Sequence, residues 1–457
     1  MPKIKKEKAL KKKTKVKIEK EKSPVPEKSK KTYSLLRGMH DILPKDEKYW
    51  KTFFHIVENL AEHFQFGRIE TPILEELNLF VRSVGRGTDI VDKEMYAFED
   101  RDGNRVCLRP EATASVVRAY ILHGMWNMPQ PIKLWYWGQM FRYDRPQAGR
   151  FRQFFQAGFE TIGDADPSAD AELILTAHNF YKDMGLPVEI HINSIGMPEE
   201  RQKYKNALVE YYRSKRSYLC DDCKARLNKN PLRLLDCKNE KCQPVKEEAP
   251  QIIDWLDDES KNHFMKVLEY LDELSIPYVL RSTLVRGLDY YTKTVFEVYT
   301  VSTGEGGAQS ALGGGGRYDL LVEELGGKAT PAVGLSLGIE RSVSALKQYN
   351  EQNQLKPSVK KYDAYIAQLG DQAKRRALKI LNELRNSGLK INYNFAKNSL
   401  KSQLESANGL QVPYALILGQ KEVQDGTIII RDMESGVQEI VDQKKTCLIL
   451  IKKLGKV

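Results

Sequence analysis

The sequence predicts an α+β domain on an antiparallel sheet, interrupted by a mostly helical insertion and followed by a small α/β domain. Three observations carry this. Two strand-like runs, "PIKLWYWGQMFRYD" and "GRFRQFFQAGFETIG", are joined by "RPQAGR" and read as an antiparallel hairpin with a long loop. Other strand runs are separated by helices while neighbouring strands stay in hairpins, the pattern of an α+β domain. Beyond the polar "EQNQLKPSVKK" at 351–361, strand and helix alternate for about 100 residues, which marks a separate unit.

Taken in order, residues 1–32 form a lysine-rich tail too polar to bury a core. A first domain is expected over 33–355. "RGMHDILP" leads into "EKYWKTFFHIVENLAEHFQF", whose apolar residues recur at helical spacing and which Gly67 is expected to stop. "RIETPILEE" reads as a short strand whose Pro72 suits an edge or an interface. "DADPSADAELILTAHNFYKDMG" is a capped helix closed by Gly185. Residues 196 to about 275 are helical, charged and cysteine-bearing, and form the insertion. Strands resume at "YVLRSTLVRGLDYYTKTVFEVYT". The run "GGGG" in "ALGGGGRYDLLVEELGG" is a pattern found more often in a turn than in a phosphate loop. The strand–helix "AVGLSLGIERSVSALKQYN" closes the domain, and 356–457 make up the second one.

At 457 residues the chain exceeds one ordinary core. No run of about 18 apolar residues occurs, which excludes a membrane span of that kind. The lysines at the start lack an apolar stretch, so neither a secretory signal nor a transit peptide is expected and a cytoplasmic location is. The net charge of +11 is unevenly spread, since residues 1–31 hold 14 Lys and 4 Glu, or +10. The remainder has 58 basic and 57 acidic residues, or +1, and is nearly neutral. The tail suits a sequence-independent grip on RNA phosphates. It equally suits a solubilising role without a specific partner.

Along "RQFFQAGFE", side chains alternate faces, so Phe154, Gln156, Gly158 and Glu160 share one face and Gln153, Phe155, Ala157 and Phe159 the other. The first face offers an aromatic plate, an amide, a gap and a carboxylate, which is the lining of a cleft. Arg142 and Arg150 flank it from the two strands, and guanidinium forks match phosphate oxygens as lysine cannot.

The hairpin resembles motif 2 of the class II aminoacyl-tRNA synthetases, "RIETPILEE" their motif 1, and "GLSLGIERSVSAL" their motif 3. "LVRGLDYYT" (284–292) and "ALGGGGRYD" (311–319) are similar to two signatures peculiar to the histidyl-tRNA synthetases. "RGMHDILP" and "LRPEAT" fit as well, and 356–457 resembles that family's anticodon-binding domain. The resemblance covers about 33–457 and leaves the lysine tail outside.

It implies activation of L-histidine with ATP and Mg2+, transfer to the 3' end of tRNA(His), and a homodimer joined through motif 1. By resemblance, Arg142 would hold the α-phosphate of ATP, Arg150 and Arg341 the distal phosphates, and Phe154 would stack on adenine near Asp144. Relatives usually carry Glu where this chain has Asp144. Glu111, Ala112 and Thr113, with Gln156, would surround the α-amino group of histidine, and Glu160, Tyr290 and Tyr291 its imidazole, whose two nitrogens both need partners. Arg286 would bridge the histidine carboxylate and the α-phosphate, so that Arg142, Arg286 and Arg341 form the catalytic set. Arg145 and Gln147 would meet the acceptor end of tRNA.

Cys220, Cys223, Cys237 and Cys242 are spaced C-x2-C, thirteen residues, C-x4-C. Two close pairs are what tetrahedral zinc uses. The alternatives are a structural zinc or four reduced thiols, disulfides being disfavoured in a cytoplasmic chain. Two rival functions stand beside ligation. One is a catalytically dead paralogue that senses histidine, which would tend to lose the ATP-binding arginines or the last domain. The other is a general RNA-binding protein led by its tail, against which the neutral body argues.

Overall fold

The hairpin organises the first unit. Strands Ile132–Phe141 and Gln153–Ile162 pair antiparallel over their whole length, from Ile132 opposite Ile162 to Phe141 opposite Gln153. The computed structural model describes residues 33–85, 88, 90–145, 149–301, 311–354 and 362–456. The lysine tail and Gln147 lie outside the described residues. The chain divides into two units between Gln352 and Asn353.

Around the hairpin an eight-stranded sheet runs in the order Gly67–Arg68, Ile132–Phe141, Gln153–Ile162, Ala332–Gly338, Gly313–Arg317, Thr292–Thr300, Val188–Ser194, Tyr278–Leu280. Only the two outermost pairings are parallel. One face is covered by helices Glu47–His63, Pro167–Asp183, Asp258–Glu273 and Ile339–Gln352. Phe53, Phe180, Phe264 and Val343 from these helices meet Phe159, Ala157, Leu335 and Phe296 of the sheet. The alternation expected for "RQFFQAGFE" is present, because Phe155, Ala157 and Phe159 face this core while Phe154 faces the other.

The second face packs helix Thr113–Leu122 and the cysteine-bearing insertion through Val116, Tyr120, Tyr204, Leu208 and Tyr212. The insertion is helical, as its composition predicts. Its last helix, Asp258–Glu273, lies within the expected span of 196–275 yet buries Phe264, Val267 and Leu271 in the first core. Periodicity could not show that, since it records an apolar face and not which core receives it.

Two further expectations differ. Gly67 does not end the first helix: the last helical residue is His63, and the turn closes at Gln65, whose φ is 62°. Phe66 N then donates to Ala61 O at 2.7 Å, and Gly67 already belongs to a strand. The glycine run is a central strand, Gly313–Arg317, and not a turn. A Cβ on Gly315 would lie 2.0 Å from the Gly334 carbonyl. Here glycine permits close strand approach, a use that its turn statistics hide.

Pro72 falls between two short strands, Gly67–Arg68 and Leu74–Glu76, and interrupts neither. Buried Arg109 fastens this segment to the hairpin, donating to Thr71 O and Oγ1 at 2.8 Å and to Gln139 O at 2.9 Å.

The second unit is a five-stranded sheet ordered Ile391–Tyr393, Ala364–Gln368, Tyr414–Leu418, Thr427–Asp432, Gln438–Asp442. The first three strands are parallel and the last two antiparallel. Helices Asp371–Asn386 and Thr446–Lys453 cover a core of Ile366, Ile380, Leu416 and Leu450. Among the described residues, no helix is long and apolar enough to cross a membrane.

Candidate active site

A cleft of about 440 Å³ opens on the sheet face opposite the first core. That is within the size range of small-molecule sites. The hairpin supplies its floor. Phe154 and Gln156 line it, and Gln156 Oε1 is buried without a hydrogen-bond partner among the described residues. An unpaired buried acceptor is costly, so this atom is open to a donor from a ligand. Gly158 leaves no empty gap. The ring of Tyr136 lies across it, with Cζ 2.1 Å from where a Cβ would stand.

The cations of the hairpin converge on this cleft. Arg142 follows the last residue of its strand and donates from Nε to Pro110 O at 2.8 Å. Its guanidinium carbon sits 5.5 Å from the centroid of Phe154. Arg150 forms an ion pair with Asp144, which also accepts from Arg145 N at 2.6 Å. Arg341 reaches over from the helix of "GIERSVSAL" and donates to Ala311 O at 2.7 Å and Gly149 O at 3.4 Å.

At the other end, Glu111 accepts from Thr113 N at 2.6 Å and Ala114 N at 3.0 Å, satisfying the free N–H groups of helix Thr113–Leu122. Burial raises its carboxyl, and those bonds pull it back down. Ala112 packs in the core and does not line the cleft. Glu160 is fully buried beneath it, accepting from Thr113 Oγ1 at 2.8 Å and Tyr318 Oη at 2.7 Å. Burial pushes its carboxyl up to about 8 against these two bonds. Of its two hydrogen-bond partners, Thr113 lines the cleft and Tyr318 does not. Tyr290 and Tyr291 line the cleft with ring centroids 4.7 Å apart.

Arg286 is held by Glu297, whose other oxygen accepts from Tyr299 Oη at 2.5 Å. Burial alone would lower the guanidinium, but Tyr291 and Glu297 hold it above its ordinary value. A Cβ on Gly314 would lie 2.8 Å from Arg286 Nη1, so the glycine strand also makes room for this side chain. Glu340 lines the cleft too, accepts from Phe155 N, and is pushed up by burial to about 7.

Arg145 is exposed, outside the cleft lining. The four cysteines come together, their sulfurs all within 4.8 Å of one another. Cys220 Sγ and Cys237 Sγ are 3.8 Å apart, and Cys220 N donates to Cys242 Sγ at 3.2 Å. Zinc with four sulfurs at about 2.3 Å spaces them about 3.8 Å apart. A disulfide needs about 2.05 Å. The donor set therefore fits a tetrahedral ion.

Sequence reasoning missed Tyr136, Glu297, Tyr299 and Tyr318. Glu297 and Tyr299 alternate with apolar Phe296 and Val298 in strand Thr292–Thr300, a signal of a polar strand face that could have been read. Tyr318 stands in the "ALGGGGRYD" signature, which could have pointed to it.

Residues 38–341 match the family model "Histidyl-tRNA synthetase", and 363–453 match "Anticodon binding domain". The histidine–tRNA ligase of Desulforamulus reducens is 44% identical, aligned over 91% of this chain and 98% of its own. That of a Dehalococcoides mccartyi strain is 45% identical, over 90% and 97%. The apo histidyl-tRNA synthetase of S. aureus superposes with a TM-score of 0.74 at 36% identity, covering 92% of this chain and 100% of that one. With a family model spanning most of its length and relatives this similar over nearly all of theirs, the chain belongs to the histidyl-tRNA synthetases, ligases of class II that join histidine to tRNA in two steps by way of histidyl-adenylate.

Proposed function

We propose that the cleft between Gln156 and Arg341 is where histidine and ATP meet, and that each lining residue has a distinct part in forming the adenylate. The carrying observation is the unpartnered Gln156 Oε1 in a cleft that also holds Arg142, Arg286 and Arg341. The α-ammonium group of histidine supplies the missing donor, helped by Glu111 and Thr113. Its imidazole lies against Tyr290 and Tyr291 and reaches Glu160 by displacing the Thr113 hydroxyl.

Phe154 accepts the adenine on its face once the Arg142 guanidinium turns to the α-phosphate. Arg150 exchanges Asp144 for a distal phosphate, and Arg341 takes another. The carboxylate of histidine and the α-phosphate are both negative, and Arg286 offsets their repulsion as they approach. Magnesium accompanying ATP would neutralise its phosphates, and Glu340, one of the carboxylates that line the cleft, would be the residue to hold it. Arg145 and Gln147 serve the acceptor end of tRNA(His).

A zinc ion at Cys220, Cys223, Cys237 and Cys242 has a structural role, supported by the sulfur spacing. Elemental analysis of protein purified without added metal should find near one zinc per chain. A homodimer joined through "RIETPILEE" is supported by the likeness of that stretch to motif 1 and by its exposed Ile73 and Leu74. A cytoplasmic location is in keeping with an enzyme that charges tRNA. The closing test is exchange of pyrophosphate into ATP. It should occur with histidine and with no other standard amino acid, and equal exchange with glutamine or asparagine would overturn the reading.

A further inference from the structure

The four-cysteine cluster and the substrate cleft share a wall. Cys237 stands between Asp236 and Lys238, and both line the cleft beside Arg286 and Glu297. The turn before it closes through Cys237 N to Leu234 O at 3.1 Å. Within that turn Arg233 Nη1 donates to Asp236 Oδ2 at 3.1 Å, while Nη2 donates to the carbonyl of Gly287 at 3.4 Å. Gly287 directly follows Arg286, so this guanidinium spans from the cysteine turn to the backbone that presents the central cation of the cleft. A second path runs through the core. Cys223 and Cys242 are buried in the same apolar cluster as Leu284, Val285 and Tyr290, which flank Arg286 on either side.

We infer that zinc bound by the four thiolates fixes the Arg233–Lys238 turn and, through the Arg233 bond to Gly287, sets the position of Arg286 in the cleft. Arg233 is thereby a positioning residue for adenylate formation. The inference rests on reading the cleft as the site of histidine activation and the cysteines as zinc ligands.

The physical reason is the economy of other ties. Leu234 and Leu235 bury the start of the turn in the core, whereas Cys237 at its end is held by its N–H and by its carbonyl, which accepts from Gln243 Nε2 at 2.8 Å and Lys246 Nζ at 3.4 Å. Thiols add only weak bonds to these. Four metal–sulfur bonds would join both knuckles in one rigid body. A shift of about 1 Å in a reacting group costs up to about a hundredfold in rate, so a modest loosening of this turn is felt at the chemistry.

Arg233→Ala should retain one zinc per chain and lower kcat for adenylate formation about tenfold, with little change in KM for ATP. Cys220→Ser with Cys237→Ser should lose the zinc and slow the same step by a similar factor. Adding Arg233→Ala to that pair should then cost little more, because the three changes break one path.

A readout on the unsubstituted enzyme does not depend on turnover. Coupling between binding equilibria is reciprocal, so a stable histidyl-adenylate analogue with pyrophosphate, which engage Arg286 as the reacting state does, should raise the retention of zinc against a competing chelator at equilibrium about tenfold. In Arg233→Ala that protection should vanish. Equal zinc loss with and without these ligands in the unsubstituted chain, or an unchanged kcat in Arg233→Ala, overturns the inference. Zinc near zero with histidine-dependent exchange intact overturns it as well and spares the reading of the cleft. Exchange absent while zinc is present overturns that reading first.

Discussion

Arg286 lies between a carboxylate that holds it and an aromatic ring, its guanidinium carbon 5.3 Å from the centroid of Tyr291. A cation so fixed acts most when charge is rearranged, so its contribution belongs to the transition state. Arg286→Ala should lower kcat for adenylate formation by about 10² to 10³, with far smaller changes in the Michaelis constants, as single-turnover kinetics would show. Arg286→Lys keeps the charge, loses the fork, and should recover part of the rate. Glu160 gives a test in pH. Its folded value of about 8 exceeds its ordinary 4.5, so between these values the folded chain binds a proton that the unfolded chain releases. The contribution of Glu160 is therefore whole below about pH 4.5 and is lost as pH rises towards about 8, by at most ~1.4 kcal/mol per unit. Melting temperatures of Glu160→Gln, compared between about pH 5.5 and about pH 8.5, should fall less than those of the unsubstituted chain. At this scale the sequence was informative where motifs are contiguous. Arg142, Gln156 and Arg341 are read from their runs, whereas Tyr318, although it stands in the "ALGGGGRYD" run, meets Glu160 from 158 positions away through the sheet order, a pairing that no local pattern records.

Among the elements, the hairpin was the most legible, because side chains alternating along Gln153–Ile162 send Phe155, Ala157 and Phe159 to one core and Phe154 and Gln156 to the cleft. The glycine strand was the least. A run without side chains has no periodicity to read, and its placement follows from neighbours that only the folded sheet provides. Its strictness can be measured. Gly315→Ala would place a methyl group 2.0 Å from a backbone carbonyl that cannot rotate away. The two central strands would have to part, a disruption on the order of 3 kcal/mol or more, seen as a large fall in melting temperature or as insoluble protein. Gly158→Ala should be milder, since the Tyr136 side chain can give where a backbone cannot. The first helix shows the same limit on a smaller scale, because its end is set by the backbone at Gln65 and not by the glycine two residues on.

For the whole molecule, the charge distribution separates two tasks. Nearly all the excess positive charge lies in residues 1–31, which hold +10 of the total +11. Deleting them should flatten the salt dependence of tRNA binding and leave histidine-dependent exchange intact, as filter binding over a range of salt would show. Loss of exchange on truncation would mean that the tail serves the catalytic unit. Within the body, two cations of the cleft come with their own counter-charges, while Arg142 and Arg341 are held by backbone carbonyls. Arg150 is paired with Asp144 and Arg286 with Glu297. On the reading proposed above, a nucleotide competes with Asp144 for Arg150, so its binding there is a change of partners, while Arg286 keeps Glu297. The same competition works in the opposite direction after the chemistry. On that reading Asp144 stands ready to reclaim Arg150, and pyrophosphate is displaced by a group that never leaves the cleft, which assists its release.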